Sequence, residues 1–214
     1  MTLTGPSLIP ENPQKAVVLL HGYGADGQDL FALAPLLKQQ LKNGEHTAFF
    51  APNAPQKTNM GIGYQWFSDN DFTFVDRDGI GQAKELLEDF IQTEIIAKLG
   101  LKYEDVAIIS FSQGTMTSLF SVPRFDDSIG ALVGFSGLLM WQGELEKDGV
   151  NHVPILLVHG ADDDVVPAHN TEQAAKELEA LGYTVEQHIL PGLPHGIDAR
   201  GLELAATFLN THNF

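Results

Sequence analysis

Short apolar runs alternate with stretches of helical periodicity along almost the whole chain. Runs at 15–20, 46–52, 105–110, 129–135, 153–159 and 184–190 are rich in Val, Ile, Leu, Ala and Phe and are bounded by turn residues, which predicts buried strands. Between them the pattern predicts helices at 29–37, 80–99, 113–121, 169–181 and 197–210. The clearest is Ile80 to Leu99, whose apolar positions Leu87, Phe90, Ile91 and Ile95 share one face. Strands that are apolar throughout, each followed by a helix, imply a mainly parallel sheet covered on both sides. A long loop follows Pro52, and no internal repeat, low-complexity tract or linker interrupts the pattern. The 214 residues suit one α/β domain spanning 1–214, long enough for a substantial core.

Composition removes several classes of function. With 28 acidic and 12 basic residues, the formal charge of −16 repels nucleic-acid phosphates and anionic lipid headgroups. The absence of cysteine excludes disulfides, a thiol nucleophile and a zinc–thiolate site. The opening Met1-Thr2-Leu3-Thr4-Gly5-Pro6 lacks a basic region followed by an apolar core, and no run approaches the ~18 apolar residues of a membrane span. The expectation is a soluble cytoplasmic protein without integral membrane association or nucleic-acid partner.

The candidate chemistry lies where predicted strands end. Ala107-Ile108-Ile109-Ser110-Phe111-Ser112-Gln113-Gly114 reads as a strand, a very tight turn and a helix start, a layout that lifts the Ser112 hydroxyl clear of the sheet as a nucleophile. The same residues would also make an ordinary helix N-cap. An attacking serine needs a base, and the base needs a carboxylate to fix its tautomer. The run ending Val158-His159-Gly160 empties into Ala161-Asp162-Asp163-Asp164, and the strand at 184–190 into Pro191-Gly192-Leu193-Pro194-His195-Gly196. His195 is the candidate base and the aspartate cluster supplies the acid. The order Ser, Asp, His is that of α/β-hydrolases. Attack on an acyl carbon also creates an oxyanion that backbone N–H groups must meet. His21-Gly22-Tyr23-Gly24, directly after the first strand, offers the Tyr23 amide, and the Gln113 amide beside the nucleophile offers the second donor. Read alone, that glycine-rich tract is equally a plain tight turn.

Together these segments resemble the carboxylesterase/phospholipase family of α/β-hydrolases, which includes the acyl-protein thioesterases. The resemblance is carried by His21-Gly22-Tyr23-Gly24 with Asp26, Gln65-Trp66-Phe67, Phe111-Ser112-Gln113-Gly114, His159-Gly160 with Asp163-Asp164-Val165-Val166-Pro167, and Pro194-His195-Gly196. It implies an α/β-hydrolase fold without a large lid and a cofactor-free esterase acting on short acyl esters, lysophospholipids or thioesters. Two positions depart from the family pattern. Ser110 stands where glycine is usual, at a crowded point between strand and helix. Asp164 stands where proline is usual, which leaves three adjacent aspartates; register against Val165-Val166-Pro167 favours Asp163 as the acid. The expected triad is Ser112, Asp163 and His195.

Only Gly137 to Asn151 separates two strands where many lipases insert a lid, so an open site is expected. Its predicted walls are Leu138, Leu139, Met140 and Trp141 on that connection, and Ile62, Tyr64, Trp66, Phe67 and Phe72 on the long loop. Core packing is the competing role for Trp66 and Phe67, and an exposed aromatic cluster would equally serve a homodimer contact. His21 and His159 each precede glycine at a strand end and are expected to make structural hydrogen bonds. Asp162, Asp163, Asp164 and His169 lack the usual metal-ligand spacing, so no metal is expected. A dienelactone-type hydrolase or acyltransferase on the same scaffold, and a non-catalytic binding protein, are the rival readings.

Overall fold

The computed structural model describes residues 2–59, 61–70, 74–141, 144–145 and 151–214. Its strands are β1 (Ser7–Leu8), β2 (Lys15–Leu20), β3 (Thr47–Phe50), β4 (Gln56–Lys57), β5 (Tyr64–Gln65), β6 (Asp69–Asn70), β7 (Phe74–Val75), β8 (Val106–Phe111), β9 (Ala131–Phe135), β10 (Ile155–Gly160) and β11 (Val185–Leu190). Among the described residues, seven of these form the main sheet in the order β1-β3-β2-β8-β9-β10-β11. All its pairings are parallel except β1 with β3. This is the mainly parallel sheet expected from the alternation.

The two faces of one strand show why the runs are apolar throughout. Ala16, Val18 and Leu20 of β2 point into one core, while Val17 and Leu19 point into the other. The first core is closed by helix α3 (Arg77–Phe90) through Ile80, Ala83 and Leu87, and by α5 (Gln113–Ser121) through Met116 and Leu119. The second is closed by α2 (Ala34–Gln40) through Leu37 and by the C-terminal helix Ala199–Thr211 through Leu202, Ala205 and Leu209. Period-two strands and period-3.6 helices thus meet on both sides of a single sheet.

Three departures from the periodicity have local causes. The helix expected at 29–37 is two helices, α1 (Gly27–Phe31) and α2, because Pro35 has no N–H to donate back to Phe31 and its ring would meet that carbonyl. Helix α3 starts at Arg77, where the Asp76 side chain accepts from the Gly79 amide at 2.9 Å, and it continues through a π-helical stretch, Ile91–Ile96, to Leu99. The long loop carries two ribbons, β4 with β5 and β6 with β7, which short segments without clear alternation did not announce.

Candidate active site

Three loops leave the carboxyl ends of β8, β10 and β11 and converge. At the first, Ser112 follows β8 directly and adopts φ 53°, ψ −117° before α5 begins at Gln113. A non-glycine residue held there costs about 1–3 kcal/mol and persists only where its surroundings enforce it. They do: the Ser112 amide donates to the Phe135 carbonyl at 2.9 Å, and its carbonyl accepts from Thr115 and Met116. Ser110 fits the crowded position because its hydroxyl is satisfied, 2.8 Å from Ser118 Oγ and 3.1 Å from the Val133 carbonyl.

At the second loop the side chain of Asp163, rather than Asp162 or Asp164, turns inward; it is buried while its neighbours are exposed. Its Oδ1 accepts from the Val165 and Val166 amides at 2.9 and 2.8 Å. Burial alone would raise its pKa, but the hydrogen bond to His195 and the two amides outweigh it and hold the carboxyl below its usual range. The third loop brings His195 between acid and serine. Nδ1 lies 2.7 Å from Asp163 Oδ2 and Nε2 3.1 Å from Ser112 Oγ. The Phe111 ring, 4.8 Å away between centroids, packs on the imidazole. The two loops are stitched together: Asp162 donates to Leu193 and Ala161 to Leu190. A side chain at Gly160 would collide with the Leu193 carbonyl, so glycine is required at that approach.

The glycine-rich tract after β2 lies against Ser112. A Cβ on Gly22 would sit 3.3 Å from Ser112 Cβ, and one on Gly114 would strike the Leu20 carbonyl. Neither the Tyr23 nor the Gln113 amide donates to an acceptor among the described residues, leaving both N–H groups available beside Ser112. His21 takes the structural part expected of it: Nδ1 donates to the Gly22 carbonyl at 2.7 Å and Nε2 accepts from Ala54 at 3.0 Å. Burial holds its pKa below the usual value despite that hydrogen bond.

The predicted substrate walls divide. Trp66 and Phe67 are fully buried, so they are core residues and not the lining of an open channel. Their backbone is gripped by the Gln113 side chain, whose Oε1 accepts from Trp66 N at 2.8 Å and whose Nε2 donates to the Phe67 carbonyl at 3.0 Å. The Trp66 indole donates to the His21 carbonyl. The Gln113 side chain thus ties the long loop to the helix that follows Ser112, a role the sequence gave no sign of. Leu139 and Met140 are likewise buried in the core. Ile62 is 75% exposed, and Leu138 and Trp141 are half-buried. Phe72 lies outside the described residues. No group of three or more His, Asp or Glu residues suited to a metal occurs among those described.

A family model for phospholipase/carboxylesterase matches residues 9–213. The chain belongs to that family. Among its relatives, acyl-protein thioesterase 1 of Saccharomyces cerevisiae is 31% identical over 214 residues, covering 92% of each chain. Of solved structures, esterase PE8 is 35% identical with a TM-score of 0.90, covering 99% of each chain. SOBER1 of Arabidopsis thaliana is 25% identical with a TM-score of 0.80, covering 93% of this chain and 99% of its own.

Proposed function

We propose that this member of the phospholipase/carboxylesterase family is a serine carboxylesterase working through an acyl-enzyme. The observation that carries the reading is His195, within hydrogen-bond reach of Ser112 Oγ on one side and of Asp163 on the other. His195 removes the Ser112 proton as the oxygen attacks the ester carbonyl. The Tyr23 and Gln113 amides hold the oxyanion, each donor contributing on the order of 3 kcal/mol to the transition state. His195 then protonates the leaving alcohol, and water repeats the sequence on the acyl-enzyme. Asp163 keeps the imidazole in the tautomer with its proton on Nδ1 and stabilises the imidazolium.

The substrates are short- to medium-chain carboxylic esters, with acyl thioesters and lysophospholipids in the same chemical range. Relatives named thioesterases and carboxylesterases support that range. The acyl chain runs beside Leu138 and Trp141, since Gly137 abuts the Ser112 carbonyl. On the opposite side, Ile62 and Tyr23 edge a shallow depression with Asp26 and Asp29, whose acidity disfavours anionic leaving groups. The enzyme acts as a single cofactor-free domain; no described helix is long and apolar enough to cross a membrane.

A fluorophosphonate probe tests the reading, because only an activated serine reacts with it. The parent chain is labelled and Ser112→Ala is not, with turnover on p-nitrophenyl esters lower by ~10⁶. An unlabelled parent, or an alanine variant as fast as the parent, overturns it. A panel of esters, thioesters and lysophospholipids of increasing chain length then separates the substrate classes and exposes acyl transfer.

A further inference from the structure

The strand that leads to the acid's loop also carries a second histidine. His159, in β10, has no exposed surface and sits between Thr171 and Asp163. Its Nδ1 lies 2.7 Å from Thr171 Oγ1. Its Nε2 lies 2.8 Å from the Val166 carbonyl oxygen and 3.1 Å from Asp163 Oδ2. A ring nitrogen facing two acceptors must carry the hydrogen, so Nε2 donates, chiefly to Val166, and Nδ1 accepts from the Thr171 hydroxyl. Asp163 Oδ2 is therefore approached by two imidazoles, His195 at 2.7 Å and His159 at 3.1 Å.

Taking Ser112, His195 and Asp163 as the triad, we propose that His159 is a positioning residue for the hydrolysis: it clamps the Asp163–Val166 turn and holds Oδ2 toward His195, with Thr171 fixing its tautomer. The clamp works at two points. Through the Val166 carbonyl it steadies the turn whose amides bind Oδ1, and through Oδ2 it opposes rotation of the carboxylate. Without it Oδ2 is held by His195 alone, the residue it has to orient. Burial keeps His159 neutral, outweighing the Val166 hydrogen bond and the nearby Asp163 charge. The ring thus supplies a donor without a full positive charge that would compete with the His195 imidazolium for the same carboxylate. The charged and titratable groups facing it among the described residues are Asp163 and His195, and its Nδ1 meets the Thr171 hydroxyl.

The test uses the full chain with His159→Leu, His159→Gln and Thr171→Val, measuring kcat, KM and the pH dependence of kcat/KM on p-nitrophenyl acetate, with thermal melting and fluorophosphonate labelling alongside. The leucine variant lowers kcat by about tenfold or more while KM stays within about twofold, because Asp163 does not touch substrate. Its acid limb of kcat/KM moves to higher pH, since a carboxylate sharing its charge with one donor fewer holds the proton on His195 more strongly. Glutamine, whose amide N–H reaches the same oxygens, restores most of kcat and returns the limb. Thr171→Val gives a smaller change in the same direction. A folded leucine variant with parental kcat and an unmoved limb overturns the proposal. So do equal losses in leucine and glutamine that track melting temperature with the limb unmoved. Should the leucine variant not fold, Thr171→Val decides: parental kcat with an unmoved limb overturns the clamp. An unlabelled parent would instead sink the triad reading, whereas a labelled parent with silent His159 and Thr171 variants sinks this proposal alone.

Discussion

Replacing Asp163 with asparagine keeps the shape of the side chain and reverses the polarity of one of its ends. Oδ1 accepts from the Val165 and Val166 amides at 2.9 and 2.8 Å, so the asparagine must place its carbonyl oxygen there. Its NH2 group then faces His195 Nδ1, which lay 2.7 Å from Oδ2. Two donors cannot meet, so Nδ1 becomes the acceptor and the imidazole proton moves to Nε2, the nitrogen 3.1 Å from Ser112 Oγ. A protonated Nε2 cannot take the serine proton. The same exchange in a serine protease triad lowers kcat by ~10⁴, and at about 1.4 kcal/mol per factor of ten the barrier here rises by about 5.5 kcal/mol. The NH2 also confronts the His159 N–H, 3.1 Å from the former Oδ2, so melting falls as well. The assay is turnover of p-nitrophenyl acetate near neutral pH for Asp163→Asn beside Asp162→Asn and Asp164→Asn, whose parent side chains are exposed. The two controls keep parental turnover. A folded Asp163→Asn variant within tenfold of the parent, or a larger loss in either control, refutes the tautomer argument.

Gln113→Ala leaves the Trp66 amide and the Phe67 carbonyl buried and unpaired, at about 1–3 kcal/mol each; urea denaturation shows a lower midpoint, and an unchanged midpoint removes the side chain's tie to the long loop. Stability also depends on pH through the two buried imidazoles. His21 and His159 have lowered pKa values, so between those values and the ordinary ~6.5 the unfolded chain binds more protons and stability falls as pH drops below ~6.5. The lowered carboxyls of Asp163, Asp105 and Asp198 add a second loss as pH falls below the ordinary ~3.9. Melting temperature followed against pH for the parent and His159→Gln isolates the histidine contribution from the relief of acidic repulsion, because the variant lacks one of the titrating rings; identical slopes would show that His159 is not held neutral.

The strand and helix pattern was legible because each strand is buried on both faces. Every residue from Ala16 to Leu20 had to be apolar, whichever core it faced. The helix from α3 through the π-helical stretch was legible for a different reason, its single apolar face, and Leu87, Phe90, Ile91 and Ile95 are all buried. The candidate residues Ser112, Asp163 and His195 could be named because each follows a strand end, where the backbone leaves the sheet and a side chain gains room to act. Less legible was the long loop after Pro52. Aromatic composition alone cannot say whether a ring faces solvent or core, and Trp66 and Phe67 proved to be core packing whose backbone is gripped by Gln113.

Local chemistry therefore determined the α/β alternation, the strand ends that carry the candidate site and the residue types gathered there. Tertiary structure alone decided which of three adjacent aspartates turns inward, because only Asp163 meets both the Val165–Val166 amides and His195. It also decided that His159 shares that carboxylate. The first follows from how the loop after β10 packs against the loop after β11, and contacts between segments distant along the chain leave no trace in the periodicity of either; the second follows from how the loop after β10 folds back onto its own strand.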